Sequence, residues 1–516
     1  MKCKHAHRQL TYGIIMVVAI FSFCNSAIAM SWQYENGVNL DVDVTIGYAA
    51  GIRAGDRDEE FLASDVNADD GSQNFDQWDM INNRFSAIAD IDLNYKDTYG
   101  VFIRPRGFYD FVYTGSNSNA SPGTNNNYVG GAIDNPDDFA EETDDAHGRK
   151  AEILDAFAYA GFEVGGGRFV DLRAGRQVIQ WGESLYVQGG IASAMAYMDV
   201  TAANAPGTEV KEILMPSGSA SIQMDLTETL AAGAFYQWEW EKHRLNESGS
   251  YFSDDDFLDD AGNAYLFDHP LYGVIPIMYR GEDQKPDDQG QFGAKLMYRA
   301  GWLAETEFGL YFLNYHEKLP TFNTDVGNGI YYLSYGEDVK LYGFSFSSLI
   351  GSANISGEFS YRQDFPVVTT NGVADADYWQ AQMSWLYSYP GIPGIDRVSF
   401  NGEVGCNRVQ GFTDEDLSEQ DKHKFAWGFT AVLSPEWYQV LPDLDIAIPL
   451  VYKGNPDGTS VNTLTFDEKD DNGSIGVSFT YKNAYKASLK YVHYFEDLEN
   501  SLSDRDYIAF DFKYTL

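Results

Sequence analysis

The chain has 516 residues with 77 Asp or Glu against 35 Lys or Arg, and its formal net charge of -42 excludes nucleic acid as a partner bound through phosphate contacts. Beyond the first thirty residues there is no run of about 18 apolar residues, so no helix can span a bilayer. Aromatic residues nevertheless make up 15% of the chain. These properties leave a soluble protein or a membrane β-barrel as the remaining classes.

The N-terminal residues have the features of a cleaved signal peptide. Basic residues precede an apolar run over 12–24, and Ala27-Ile28-Ala29 supplies the small residues that signal peptidase requires. We therefore predict a signal peptide over 1–29 and a mature chain, 30–516, that forms one domain. Lipidation at Cys24 is the alternative, but the preceding Phe21-Ser22-Phe23 is bulky where lipoproteins have small residues.

The first mature segment alternates between apolar and polar residues without a break. Val38, Leu40, Val42, Val44, Ile46 and Tyr48 would share one face of a strand, and Asn39, Asp41, Asp43, Thr45 and Gly47 the other. A helix would bring Asp41 next to Val44 and Thr45 and destroy this segregation. The pattern therefore predicts a β-strand with one face in lipid and the other in water.

The same two-residue period recurs about eighteen times along the chain. It marks strands near 85–95 and 101–113, and then near 152–164, 168–178, 219–226, 230–241, 290–299, 303–315, 338–347, 352–362, 377–389, 396–408, 424–434, 443–452, 474–482, 485–495 and 505–516. Each has roughly the length that a tilted strand needs to cross about 30 Å of hydrocarbon. The sequence therefore predicts an all-β fold, a transmembrane antiparallel β-barrel of about 18 strands, with about 16 as the alternative.

Short and long connections alternate between these strands. Turns such as Gly165-Gly166-Gly167 follow every second strand, and the others are separated by the long stretches 49–81, 114–148, 179–218, 243–289, 316–337, 363–376, 409–422, 453–473 and 496–504. Outer-membrane barrels have short periplasmic turns and long external loops, so this parity places both termini in the periplasm. No physical constraint makes a soluble β-sandwich alternate short and long connections in this way. We therefore expect the protein in the outer membrane of a Gram-negative cell.

The long connection 179–218 departs from the strand pattern. It opens with Trp181-Gly182-Glu183, contains the small-residue stretch 191–196 and closes on Pro206-Gly207. Because a barrel of this size encloses an aqueous lumen unless something fills it, we expect the segment to fold inward as a constriction. The residues that would then contact arginines of the barrel wall are Glu183, Glu209, Lys211 and Glu212. An external loop capped by turns is the alternative.

Charged residues occupy the inward side of several predicted strands. They are Arg84, Asp90, Asp92, Arg104, Arg106, Asp110, Asp155, Arg173, Glu239, Glu241, Glu358, Arg362 and Glu403. Opposite charges in one lumen commonly form ladders that stiffen the wall or tether a plug, and a role in selectivity is the alternative. A cationic ladder of Arg104, Arg106 and Arg173 facing Glu183 would hold the inward-folding segment in place.

Acidic runs fall mainly in the predicted external loops, and solvated, mutually repelling carboxylates are their default interpretation. Ca²⁺ could bind Asp254-Asp255-Asp256 with Asp259-Asp260, but no loop has the spacing of an EF-hand, so we predict no specific metal site and no cofactor. Divalent ions could also bridge these loops to lipopolysaccharide phosphates. The histidines are scattered singly without a nucleophile motif, so we expect no enzyme activity.

One stretch is not explained by barrel physics alone. Residues 172–184 include the string Arg176-Gln177-Val178-Ile179-Gln180-Trp181-Gly182-Glu183-Ser184, and Pro206-Gly207-Thr208-Glu209-Val210-Lys211-Glu212 follows. Both pieces resemble the proteobacterial outer-membrane family known as domain of unknown function 1302. The likeness covers essentially the whole mature chain.

This resemblance implies an outer-membrane barrel, often encoded beside a periplasmic protein of lipoprotein-carrier-like fold and an inner-membrane exporter of the resistance-nodulation-division class. Such a setting favours transport of hydrophobic or lipid-like molecules, with these two proteins and outer-membrane lipid as partners. The alternative function is a porin-like diffusion channel for small polar or acidic solutes. The family supplies no catalytic residues that could be carried over.

Overall fold

The computed structural model describes residues 30–58, 62, 65–119, 122–129, 132–133, 137–418, 421–495 and 502–516. The predicted signal peptide, 1–29, lies outside these residues, as do parts of the acidic runs 56–60 and 134–145. Most of the described residues that belong to regular structure are in strands, and the helices are short.

The strands of one large sheet form the wall of a barrel. They are β1 (Val38–Arg53), β2 (Met80–Tyr95), β3 (Tyr99–Asp110), β4 (Arg149–Glu163), β5 (Phe169–Gln177), β6 (Ser217–Asp225), β7 (Leu230–Gln237), β8 (Gln291–Ala300), β9 (Thr306–Tyr315), β10 (Val339–Ile350), β11 (Ala353–Thr369), β12 (Gly372–Tyr389), β13 (Arg397–Val409), β14 (Phe425–Leu441), β15 (Leu444–Ala447 with Leu450–Asp457), β16 (Asn472–Tyr481), β17 (Tyr485–Tyr494) and β18 (Tyr507–Thr515). Between the two parts of β15 the regular pairing breaks at Pro449, which has no N–H to donate, while the N–H of Ile448 still donates to Pro435 O at 3.0 Å.

The wall closes on itself because β18 pairs with β1. Thr45 lies opposite Thr515 and Arg53 opposite Tyr507, in antiparallel register. One of the 20 segments of the sheet, Met30–Gln33, pairs only with the start of β1, and two others make up β15, which leaves 18 strands in the closed wall. The predicted antiparallel barrel is therefore confirmed with 18 strands, and the alternative of 16 is wrong.

The outer surface of the wall is apolar. Large side chains that project outward and are exposed include Leu93, Ile153, Leu172, Ile222, Leu296, Leu310, Phe359 and Leu489. A closed sheet leaves no unpaired edge and needs such an apolar exterior in hydrocarbon, so the architecture is that of a barrel in the Gram-negative outer membrane. Among the residues that the structure describes, no helix combines the length and apolar character needed to cross a bilayer.

Elements outside the wall lie in the long connections. A four-stranded sheet consists of Ala264–His269, Gly273–Arg280, Thr321–Asp325 and Ile330–Ser334, and two small ribbons pair Tyr128–Val129 with Ala132–Ile133 and Tyr197–Met198 with Leu214–Met215. The short helical elements are Asp70–Gln73, Pro122–Thr124, Glu141–Thr143, Asp144–Gly148, Ala192–Ala194, Val200–Asn204, Val210–Ile213 and Asp414–Leu417. The long connections therefore contain regular structure rather than uniform coil.

The prediction of a loop over 363–376 is wrong. Strands β11 and β12 continue through it as a ribbon that turns at Thr370-Asn371, and Gly372 there adopts a φ of 100°. A register shift between Arg362 and Phe365 bends this ribbon. The strands therefore extend beyond the length that the bilayer requires.

We expect a charge on the outer face of a central wall position to destabilise the barrel. Ile222 projects into lipid from the middle of β6, and the Ile222→Arg variant should lose about 2–4 kcal/mol of folding free energy in bilayers. Urea unfolding in lipid vesicles measures this loss. The control is Gln223→Arg at the next position, which faces the lumen and should be nearly neutral; equal losses for the two variants would contradict the assigned faces.

Candidate functional site: a constriction inside the barrel

The connection between β5 and β6, residues 178–216, lies inside the barrel and is called here the inward segment. Trp181, Ile191, Ala194 and Met195 are buried in one apolar cluster with inward-facing wall residues. The wall contributes Phe235, Tyr311, Leu313, Val339, Leu341 and Tyr378 to this cluster. The Trp181 ring meets the Phe235 ring edge-on, with 5.1 Å between centroids. The predicted inward folding is confirmed, and the alternative of an external loop is wrong.

Two wall carboxylates bind the backbone of the inward segment. Glu358 on β11 accepts hydrogen bonds from the N–H groups of Glu183 at 2.7 Å and Ile191 at 2.8 Å. Glu403 on β13 accepts three, from the consecutive N–H groups of residues 185–187 at 3.0, 2.5 and 2.6 Å. Both glutamates are buried. They give the irregular backbone the acceptors that an unpaired N–H needs when it is removed from water.

Cations and amides bind the carbonyl groups of the same segment. Arg362, fully buried on β11, donates to Gly189 O at 2.6 Å and to Gly190 O at 2.9 Å. Gln380 on β12 donates to Gln188 O at 2.7 Å, and Lys318 donates to Ala194 O at 2.9 Å. The segment is thus held through its backbone on both the donor and the acceptor side.

A steric requirement explains the glycine in the Trp181-Gly182-Glu183 string. Gly182 adopts a φ of 102°, and a Cβ atom at this position would lie 2.4 Å from a carboxylate oxygen of Glu358. Only glycine allows both the left-handed backbone and this close approach. Trp181 before it packs in the apolar cluster, and the N–H of Glu183 after it binds Glu358.

A second group of wall charges holds the other end of the inward segment. Arg106 on β3 pairs with Asp199 at 2.5 Å and with Glu152 on β4 at 2.7 Å, and Arg244 pairs with the same two carboxylates at 3.2 and 2.8 Å. Arg106 also donates to the carbonyl oxygen of Glu212 at 2.7 Å. Burial raises the pKa of Asp199, but Arg106 and Arg244 outweigh burial and hold this pKa at about 2.

The charged residues of the inward segment have other partners than the arginines that the sequence suggested. Glu209 pairs with Lys513 on β18 at 2.9 Å, and Lys211 lies 3.4 Å from Asp90 on β2. Glu212 accepts the N–H of Glu209 at 3.1 Å, and only its carbonyl group binds an arginine. The wall cations near this segment are therefore lysines as well as arginines.

Glu183 lies among carboxylates instead of arginines. Burial and the neighbouring Glu307 and Glu358 raise the pKa of Glu183 to about 7. The expected contact with a wall arginine is therefore wrong for this residue, because its backbone N–H donates to Glu358 and its carboxylate is hydrogen-bonded to Ser347 and Ser356 of the wall.

The expected cationic ladder facing Glu183 is not formed. Arg104 pairs with the wall residues Asp90 at 2.6 Å and Asp155 at 2.8 Å. Arg173 pairs with Asp171 on its own strand and lies over the Phe157 ring. Arg176 donates to Pro216 O at 3.3 Å and lies 3.7 Å from Glu239. Of the three arginines proposed for the ladder, only Arg106 contacts the inward segment through a side-chain hydrogen bond.

Several residues that hold the segment were missed by the sequence analysis. Glu358, Arg362 and Glu403 appeared only as lumen charges, while Asp199 and Arg244 were not singled out. Asp199 had one available signal, since it stands before Val200-Thr201-Ala202 and accepts the Ala202 N–H as a helix cap at 3.0 Å. No local pattern distinguishes Arg244, which lies in the long connection between β7 and β8.

Two adjoining cavities lead from the external surface to this second group of charges. The outer cavity, about 470 Å³, is lined by residues of the 142–151 stretch with Glu247 and Asp260. The inner cavity, about 200 Å³, shares Lys150 and Glu247 with it and reaches Tyr197, Thr201 and Arg244. The two form a polar vestibule above the inward segment.

We expect Glu403→Ala to loosen the inward segment. The change leaves three N–H groups without their acceptor, two part-buried and that of Val187 buried, and the buried one costs about 1–3 kcal/mol if it finds no replacement. Single-channel conductance in planar bilayers should therefore rise, and the folding free energy should fall. Glu403→Gln keeps one acceptor oxygen and should have a smaller effect on both measurements.

Arg173→Ala is the matched control, because Arg173 faces the lumen without a hydrogen bond or ion pair to the segment among the described residues. Its folding free energy should stay near that of the wild type. If Glu403→Ala changed neither conductance nor stability, the anchoring role of Glu403 would be refuted.

Comparisons with solved structures give barrels that align over most of the chain. Acinetobacter baumannii OccAB1 is 11% identical, with 95% of this chain and 99% of that chain covered and a TM-score of 0.45. Pseudomonas aeruginosa OccK9 (OpdG) is 9% identical, with 92% and 98% covered and a TM-score of 0.46. Salmonella typhi OmpF, in complex with daunomycin, is 10% identical, with 94% and 100% covered and a TM-score of 0.36.

Among curated proteins, none matches the chain. The family profile described as protein of unknown function (DUF1302) matches residues 11–516, which is nearly the whole chain and includes every wall strand and the inward segment. The chain therefore belongs to the DUF1302 family of outer-membrane β-barrel proteins.

Proposed function

We propose that the protein is a porin-like channel that admits small polar solutes through a fixed constriction. The observation that carries this proposal is the manner in which the inward segment is held. Side chains of several wall strands bind its backbone, and polar cavities lie beside it on the external side. Such a segment narrows the lumen and leaves a polar path beside it, as restricted diffusion of a solute requires.

The lumen also presents charge to a passing solute on the periplasmic side of the segment. Asp43 on β1 lies opposite Asp90 on β2, and Asp41 lies opposite Asp92. Asp90 contacts Lys211 of the inward segment, so this row of carboxylates faces inward. Arg104 and Lys211 balance Asp90, so the negative charge of Asp41, Asp43 and Asp92, together with the net charge of -42, favours a channel that prefers cations.

Cation preference is testable in planar bilayers. In a KCl gradient, the reversal potential should show a permeability for K⁺ above that for Cl⁻, and Asp41→Asn with Asp43→Asn should reduce this ratio by about twofold. Asp443→Asn is the matched control, because Asp443 lies in the turn between β14 and β15, outside the lumen. A channel that prefers anions, or a bilayer without conductance, would refute the proposal.

A second candidate function, passage of lipid-like cargo, is favoured by one feature of the outer face. A groove of about 710 Å³ runs across β4 to β7, where Ala158, Ala174 and Ala220 are consecutive partners in the sheet. Leu172 and Tyr236 border it with exposed side chains. The small residues leave room on the wall for an acyl chain, as a lateral exit for hydrophobic cargo requires.

The two candidates predict opposite results for one variant. Ala174→Trp fills the groove from outside and leaves the inward face unchanged. It should reduce transfer of a fluorescent lipid from a periplasmic carrier if cargo uses the groove, and it should leave both this transfer and ion conductance unchanged if the protein is a porin-like channel. Pull-down of a periplasmic carrier and an inner-membrane exporter from native membranes would support the second candidate.

A further inference from the structure

Three buried carboxylates from two external connections meet outside the lumen. Asp69 and Asp70 lie between β1 and β2, and Asp256 lies between β7 and β8. Carboxylate oxygens of the three lie within 4.8 Å of one another, and all three side chains are almost fully buried. Three charges this close cost a great deal of energy in a dry environment unless something compensates them.

Compensation by a basic side chain is missing at this cluster. The groups that act on Asp69 and Asp70 are other carboxylates and neutral donors such as Thr124, Gln73 and Ser248. Arg505 acts on Asp256 from a distance, but its guanidinium donates to the carbonyl oxygens of Tyr251 and Ser253. The described residues therefore leave the negative charge of the cluster largely unbalanced.

A second acidic cluster shows what compensation looks like in the same loops. Glu247, Asp259 and Asp260 are equally close to one another. Lys242 forms ion pairs with both Asp259 and Asp260, and Glu247 accepts the N–H groups of Asp260 and Ala261 at 3.0 and 2.8 Å. Among the described residues, a lysine thus forms ion pairs with one cluster, whereas no side chain forms an ion pair with the other.

An independent neutral oxygen points to a ligand at the uncompensated cluster. Asn126 is fully buried, and its backbone N–H donates to Asp70 at 3.0 Å. Its side-chain N–H groups donate to Asn67 Oδ1 and Ala264 O, while its Oδ1 atom is buried with no hydrogen-bond partner. Oδ1 atoms of Asp69 and Asp70 are likewise buried without a partner. A buried carbonyl oxygen that accepts nothing is costly unless a cation or donor meets it.

The space beside the cluster suits one small ligand. A cavity of about 10 Å³ is lined by Asp70, Asn74 and Asn125, with Ser248 and Gly249 from the connection between β7 and β8. This volume is close to the smallest that holds one water molecule. Asp70 is the one residue of the cluster that lines this cavity, so the cavity adjoins the cluster at Asp70.

From these contacts we infer that Asp69, Asp70, Asp256 and Asn126 form a Ca²⁺ site that joins three external connections. Asn126 brings in the connection between β3 and β4. Hard oxygen donors, carboxylates together with an amide carbonyl, are the ligands that Ca²⁺ takes, and its flexible geometry tolerates an irregular cage. The inference revises the expectation from sequence, which predicted no metal site and placed Asp256 with Asp259 and Asp260.

The local chain supports this assignment. The site is built from three segments that are distant in sequence, which explains why no EF-hand spacing appears. Asp70 N–H donates to Asp256 at 2.8 Å, so the two connections already contact each other through the ligands. The external medium contains Ca²⁺ at concentrations that extracellular sites of about 10⁻⁴–10⁻³ M affinity can use.

Calcium binding is measured on the full mature protein, refolded in detergent and stripped with EGTA. Titration with CaCl₂ alone, followed by isothermal titration calorimetry, should give one site of about 10⁻⁴–10⁻³ M affinity. At a calcium concentration ten times the dissociation constant, cleavage of the external loops by protease should slow about tenfold, because the opened loops cannot bind the ion.

Asp70→Asn and Asp256→Asn should each abolish the calcium-dependent protection. Without calcium these variants should resist protease at least as well as the wild type, because each removes an uncompensated buried charge. Asp260→Asn, in the cluster that Lys242 neutralises, is the matched control and should keep the full calcium response. If an aspartate variant fails to fold, Asn126→Ala provides the test, since it removes an unpartnered neutral oxygen and should weaken calcium affinity at least several-fold.

Two results would overturn the inference. One is calcium-independent cleavage of the wild-type loops with no heat of binding, which would mean that the three carboxyl groups hold protons instead. The other is equal protection by MgCl₂ at the same concentration, which would assign the effect to general divalent screening. Neither result bears on the proposed channel, because conductance is measured on the lumen and this site lies outside it.

Discussion

A backbone that leaves the barrel wall and enters the lumen must still find partners for its N–H and C=O groups. The inward segment has little regular structure of its own, so the wall supplies those partners. Glu358 and Glu403 accept from its N–H groups, and Arg362 donates to its carbonyl groups. Charged side chains are suited to this task because one carboxylate can accept several hydrogen bonds, and each is stronger than a bond between neutral groups. The constriction depends on these hydrogen bonds between wall side chains and the backbone of the inward segment.

The barrel itself was predictable because its signal is local. A strand between lipid and water repeats every two residues, and the lengths of the connections report on which side of the membrane each turn lies. The prediction failed where this reasoning used bilayer thickness as a limit. The stretch 363–376 was predicted as a long loop, yet Phe365, Val367 and Ala376 keep the alternation going into an external ribbon and are buried in the same apolar cluster as the inward segment.

The contacts of the constriction were not predictable because they depend on long-range register. Glu358 lies 175 residues from Glu183, and Glu403 lies 218 residues from Leu185. Sequence analysis could identify the inward segment and the charges of the wall, but it paired them by sign, which led to arginines opposite Glu183. The structure pairs wall carboxylates with segment N–H groups, and a backbone N–H has no signature in a sequence. Gly182 is the exception, because it belongs to the Trp-Gly-Glu string that the sequence analysis identified. Its positive φ and its close approach to Glu358 explain the glycine in that string.

The connection between β7 and β8 joins the constriction to the proposed calcium site. Its Arg244 binds Asp199 of the inward segment and Glu152 of the wall. Its Asp256, further along the chain, contributes to the carboxylate cluster with Asp69 and Asp70. A cation at that cluster would fix the outer part of this connection and thereby limit the positions that Arg244 can take. Arg244 and Arg106 bind the same two carboxylates. Both arginines must therefore be held in place for this end of the inward segment to be fixed. One end of the inward segment is therefore held partly by a connection that lies outside the barrel wall.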